Sequence, residues 1–236
     1  MEKVMIIART ADFSDQWCQN MRGPVAAKLL DLGLPGVVVN VRDEAVRDSM
    51  MTLTTLDPPA AAVISLWTQQ YYSEATRAAI ALIEAESDSA AAYLVTESMP
   101  MPPPDLGEGR RTRGLANVAL LRRPADLDEA TWLHRWHIDH TQVAIDTQAT
   151  FGYTQNTVVR ALTPDAPPID AIVEELFPIE AVSDLHAFFG ATDDADLGDR
   201  MGKMAASVAR FGADRDIDTV PTSRYVLWTP THTLQP

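Results

Sequence analysis

The spacing of apolar residues along the chain changes period several times, and each change marks an element. Residues 4–8 (VMIIA) form a short continuous apolar run bounded by polar positions, which predicts a buried strand. Phe13, Trp17, Met21, Val25, Leu29 and Leu32 then recur at helical spacing, and Gly33 and Gly36, with Pro35 between them, stop that helix. Strands are predicted at residues 37–41 and 61–67. A helix over residues 73–86 follows, with Ala75, Ala79, Leu82 and Ile83 on one face, and then a strand at 92–96. The order is β-α-β-β-α-β. Residues 99–109 (MPMPPPDLGEG) are too rich in Pro and Gly for a helix or a central strand, and a boundary belongs there.

The same order then repeats. A strand at 116–121 leads into a helix from about Leu127 that carries Trp132, Trp136, His140, Val143 and Ala144 and stops before Gly152. Strands at 153–162 and 169–177 follow. A helical region over 197–211 has Met201, Met204, Val208 and Phe211 in phase, and a strand at 224–228 closes the series. The fold expected is therefore α+β, two tandem ferredoxin-like (βαββαβ) halves with antiparallel sheets. Residues 1–98 make a half expected to be structural, 99–113 a Pro/Gly/Arg linker with Arg110, Arg111 and Arg113, and 114–236 the half expected to carry a site. A four-stranded sheet with helices on one face leaves the other face bare. Two such sheets can bury their bare faces against each other as a barrel, closed either within one chain or between two copies in a homodimer.

Composition narrows the function. The apolar fraction, 46%, is that of a globular protein, and the formal charge of -14 repels nucleic acid and anionic membrane surfaces. A single cysteine, Cys18, forms no intrachain disulfide and suits a reducing cytoplasm. The apolar run at the start is too short for a secretory signal, and no run is long enough to span a membrane. No phosphate-loop, dinucleotide-binding or serine-hydrolase motif is present, and the sequence requires no cofactor.

Candidate chemistry comes from comparing the halves. Pairing Trp17 with Trp136 puts His140 where the first half has Met21, on a face expected to meet the sheet. Such a histidine is either a hydrogen-bonded core residue or an acid/base group. The second half also has polar strands: Tyr153, Gln155 and Asn156 stand against Val37–Val39, and Glu174 and Glu175 against Ser65 and Leu66. Alternation sends Glu174 and Glu175 to opposite faces, so only one can meet the imidazole. The expected catalytic set is His140, Tyr153, Asn156, Glu174 and Glu175. Trp132, Trp136, His137, Arg160 and Phe177 are expected to bind substrate. His134, His137 and His140 are three apart and drift around a helix axis, so they do not converge on one ion, and no metal is expected.

WHIDH at 136–140 followed by TQVA, YTQN at 153–156, VVRALTPDAP ending at Pro167, DAIVEELF and the late PTSRY together resemble the EthD family of the dimeric α/β-barrel superfamily. The resemblance covers roughly residues 114–230, and the first half resembles a degraded copy. It implies a pocket between helices and sheet, and His140 as acid/base on a small aromatic, lactone or polyketide-like substrate without a cofactor. It equally allows a non-catalytic accessory protein that binds a small molecule for an oxidative degradation system.

Overall fold

A computed structural model describes residues 1–105, 107–228 and 230. Leu106 of the expected linker and residues 229 and 231–236 of the second half lie outside the described residues.

The first half runs β1 (Glu2–Arg9), α1 (Asp15–Asn20), a π-helical turn (Met21–Val25), α2 (Ala26–Asp31), β2 (Gly36–Val41), β3 (Ala60–Thr68), α3 (Glu74–Ala85) and β4 (Ser89–Met101). A two-residue strand, β5 (Arg110–Arg111), precedes the second half. That half comprises β6 (Leu115–Leu121), α4 (Glu129–His134), a second π turn (Arg135–His140), α5 (Thr141–Thr147), β7 (Gly152–Ala161), β8 (Ala171–Phe177), a 3-10 turn (Ile179–Val182), α6 (Leu185–Phe189), α7 (Asp194–Phe211) and β9 (Asp218–Trp228). Both halves therefore play β-α-β-β-α-β, as the hydrophobic pattern predicts. Ser14, Ser73, Asp128 and Asp193 cap α1, α3, α4 and α7 through their side-chain oxygens.

Strand order is β2-β3-β1-β4 in the first half and β7-β8-β6-β9 in the second. The fourth strand of each half pairs antiparallel with the second strand of the other, β4 with β7 and β9 with β2. Eight antiparallel strands thus close a barrel within one chain. β4 runs through Pro100 to Met101, where it meets Tyr153, and β5 adds to β9. The segment expected to be a free linker is therefore partly sheet. It returns to β6 at Gly114, whose φ of 95° and whose absent Cβ, 2.0 Å from the Phe177 carbonyl oxygen, leave room for no other residue.

Strand alternation splits the barrel residues into two sets. Met5, Ile7, Val63, Tyr93, Val118, Leu120, Ile172 and Val220 fill the interior. Residues of opposite parity pack outward beneath the helices, Val4, Ile6, Val39 and Ile64 in the first half and Ala119, Leu121, Tyr153 and Val173 in the second.

Each first helix widens into a π turn, and the hydrophobic spacing explains why. Buried residues lie four apart, Met21-Val25-Leu29 and Trp132-Trp136-His140. In a regular 3.6-residue helix such a series drifts by about 40° at each step. The wider turn keeps it on one face.

Candidate functional site

The structure divides the expected site residues between two sides of the second-half sheet. Asn156 and Glu174 point into the barrel. There Lys3 Nζ donates to Glu97 Oε1 at 2.5 Å and to Asn156 Oδ1 at 2.8 Å. Asn40 Nδ2 donates to Glu174 Oε2 and to Thr222 Oγ1, both at 3.0 Å. Arg224 Nε lies 2.7 Å from Glu174 Oε1, an ionic contact in which the N–H is not aimed along the bond. All of these groups are buried or nearly so, and burial pulls Lys3 below its usual range against the opposing pull of Glu97. Two carboxylates face two cations, and hydrogen bonds run from each half to the other. Asn156 and Glu174 are thus taken up in holding the barrel together.

Tyr153, Glu175, Gln155, Trp132 and Trp136 lie on the outer face, under the π turn and α7. Tyr153, Trp132 and Trp136 are buried, and the two indole rings sit 5.3 Å apart. Burial, reinforced by the charge of Glu175, raises the Tyr153 phenol far above its usual value. Gln155 Nε2 donates to Thr141 Oγ1 at 2.8 Å, and Thr141 Oγ1 donates to the Trp136 carbonyl at 3.2 Å, so the strand is tied to the helix at the π turn. Half-buried His137 packs its ring 4.2 Å from Trp136, and burial lowers its pKa.

Glu175 stands at the centre of this layer. In register it lies opposite Tyr153 on β7 and Asn117 on β6. Its neighbours Tyr153 and Phe177 are 1% and 0% exposed, yet Glu175 is only half-buried. Its carboxyl has no hydrogen bond or ion pair among the described residues. Desolvation pushes its pKa up to about 8. Five buried polar atoms have no hydrogen-bond partner among the described residues of the second half, and three of them, Asn117 Oδ1, Trp132 Nε1 and His137 Nε2, are on this helix–sheet face.

His140 is placed differently from the expectation. Its ring lies 4.7 Å from Phe211 of α7, and Nδ1 sits 2.9 Å from Ser207 Oγ, also on α7. It packs between helices instead of onto the sheet, and its hydrogen-bond partner is a serine, not a strand carboxylate. Burial lowers its pKa to about 4. Ser207 lines an open groove of about 550 Å³ between α5 and α7. Charged groups of that groove pair with one another, Arg200 with Asp196, Lys203 with Asp199 and Arg210 with Asp139.

Matching tryptophans across the halves set the comparison about one helical turn out of register. Both helices carry a π turn, and His140 ends one where Val25 ends the other. The counterpart of His140 is therefore Val25. Arg160 and Phe177 join neither site. Arg160 is exposed and stacks over Tyr71 of the first half at 5.6 Å, and Phe177 stacks on Phe188 at 4.2 Å. Asn117 and Ser207 escaped the sequence reading although each left a signal. Asn117 is the one polar residue in LANVALL, and Ser207 lies on the apolar stripe of α7 with Met204, Val208 and Phe211.

No protein family and no curated protein matches the chain by sequence. Among solved structures, an anthrone oxidase-like protein superposes with a TM-score of 0.53 at 10% identity, covering 97% of this chain and 94% of its own. A candidate monooxygenase from Lactobacillus acidophilus NCFM (TM-score 0.46, 9% identity, 97% and 96% covered) and a candidate chlorite dismutase (0.49, 12%, 99% and 99%) also align over nearly their full length. At these identities the likeness concerns the fold alone, a closed eight-stranded antiparallel barrel with few helices, consistent with a fold of the dimeric α/β-barrel type.

Proposed function

We propose that this protein is a small-molecule enzyme of the EthD type that moves a proton on an organic substrate, with Glu175 as the proton-carrying group. The observation that carries this reading is a half-buried carboxyl, walled by aromatic side chains beneath the π turn, with no hydrogen-bond or ion-pair partner among the described residues. A structural carboxylate in such a place is paired, as Glu174 is on the opposite face. A pKa near 8 leaves the group mostly protonated at neutral pH, able to donate, and strongly basic once ionised.

The reaction class follows from that group. A carboxyl poised near neutrality suits abstraction and return of a proton at a carbon activated by a neighbouring carbonyl, the first step of isomerisation or cyclisation. Tyr153 and Gln155 orient the substrate oxygen, and Trp132 and Trp136 form an apolar wall for a small aromatic, lactone or polyketide-like skeleton. His140 holds the π turn against α7 through Ser207 and is kept neutral there. The step needs no group beyond this chain's own side chains.

Deuterium wash-in at the activated carbon of a panel of aryl ketones and lactones, followed by NMR in D2O, tests the proposal. The wild type is expected to exchange at least one compound class. Glu175→Gln should slow that exchange by roughly 10²–10⁴ with binding retained, and His140→Gln should stay within about tenfold. An undiminished rate in Glu175→Gln overturns the assignment. Loss in His140→Gln alone makes the histidine the acid/base group. Binding without exchange by any form makes the protein a binder.

A further inference from the structure

Asn117 stands beside Glu175 in a position that neither packing nor folding explains. It lies inside the apolar strand β6, on the outward-facing parity shared by Ala119 and Leu121, and is 3% exposed. Its cross-strand neighbour on β8 is Glu175, and on the other side, on β9, it meets Pro221, which has no N–H to offer. Neither atom of the Asn117 amide has a hydrogen-bond partner among the described residues, and Oδ1 is fully buried. A buried amide left in that state costs stability compared with an apolar side chain of the same shape. Directly opposed residues on one face of an antiparallel pair bring their Cβ atoms to about 5 Å, within reach of an amide and a carboxyl.

We propose that Asn117 is the positioning residue for the proton of Glu175, an inference that rests on the reading of Glu175 given above. An amide is suited to this because it serves both protonation states. Its Oδ1 accepts from the protonated carboxyl, and after a half-turn about the last side-chain bond its Nδ2 donates to the carboxylate. The proton leaves and returns without stranding either state of Glu175 in an apolar layer. A second carboxylate at position 117 repels the ionised form, and a leucine offers nothing to either form.

The test follows the Glu175 side-chain carboxyl carbon by NMR across pH in the full-length protein, for wild type, Asn117→Leu and Asn117→Asp, with unfolding midpoints measured alongside. Loss of the donated Nδ2–H should raise the Glu175 titration midpoint by about one pH unit in Asn117→Leu, without lowering the unfolding midpoint. Asn117→Asp should raise it as well, with two coupled steps. An unchanged Glu175 midpoint in both variants overturns the role of Asn117. Titration of wild-type Glu175 in the ordinary carboxylate range would instead count against Glu175 as the proton carrier, and the variant shifts still measure Asn117 independently.

Discussion

The two glutamates that adjoin in β8 show how one strand position changes a side chain's chemistry. Glu174 faces the barrel interior and meets Arg224, Asn40 and a network of matched charge, whereas Glu175 faces the helices and meets no hydrogen-bond or ion-pair partner among the described residues. The sign of the pH dependence follows from the Glu175 pKa. Folding raises it from 4.5 to about 8, so the native state binds more protons than the unfolded state across that window. Stability should therefore fall as pH rises from about 4.5 to 8 and level off above it. Glu175→Gln is expected to unfold at a higher midpoint than wild type at pH 8 and above while losing proton exchange, a trade of stability for function that thermal melts across pH will show. His140 acts in the opposite sense. Its pKa is depressed from 6.5 to about 4, so the unfolded state holds the extra proton, and stability is lost as pH falls through that range. His140→Gln should flatten the acid limb of the stability curve, and an unchanged limb would mean that other groups govern acid unfolding.

At the scale of elements, periodicity located most of the regular structure. The apolar runs at 4–8, 61–67 and 116–121 and the helical phases at 73–86 and 197–211 lie within a few residues of β1, β3, β6, α3 and α7. Burial on a two-residue or 3.6-residue period leaves its mark in the sequence whatever it packs against. The site was only half legible for the same reason. Alternation separated Glu174 from Glu175, but it could not say which side faced helices and which faced a closed barrel. Nor could helical spacing of 3.6 place His140, because its π turn shifts the register of everything after Arg135. Pro and Gly marked the 99–113 stretch as a break, yet Pro100 is tolerated in β4, where the strand runs on past the barrel wall to Met101. Gly114 has a sharper role than the break itself, since it turns the chain into β6 against the Phe177 carbonyl. Gly114→Ala should cost about 3 kcal/mol or more in denaturant unfolding, because a backbone oxygen cannot move aside as a flexible side chain can.

At the scale of the whole molecule, closing the barrel within one chain creates an interior that must be filled, and only part of it is filled with oil. Met5, Ile7, Val63, Tyr93, Leu120 and Ile172 form an apolar part, while Lys3, Glu97, Glu174 and Arg224 form a charged one. The charged part sits where the halves meet. Glu97 opposes Asn156 across the β4–β7 junction, and Arg224 opposes Asn40 across the β9–β2 junction. Lys3 reaches Asn156 and Asn40 reaches Glu174, so both hydrogen bonds cross from one half to the other. A slip of either junction by one residue would turn these groups outward and leave charges unpaired in the interior, a stronger penalty on wrong pairing than apolar contacts alone impose. The network is therefore a device for register as much as for stability, and a mutant cycle separates the two. Glu174→Leu alone leaves Arg224 buried without its carboxylate and should cost about 3–5 kcal/mol, and Arg224→Met alone should cost a similar amount. The double variant removes both charges and is expected to recover most of that loss in equilibrium unfolding, with a coupling energy of at least about 2 kcal/mol. It should nonetheless show broader amide spectra at the β9–β2 junction, because stability regained without matched charges no longer fixes the register. Additive single losses would mean that the two side chains act independently and that backbone pairing alone aligns the halves.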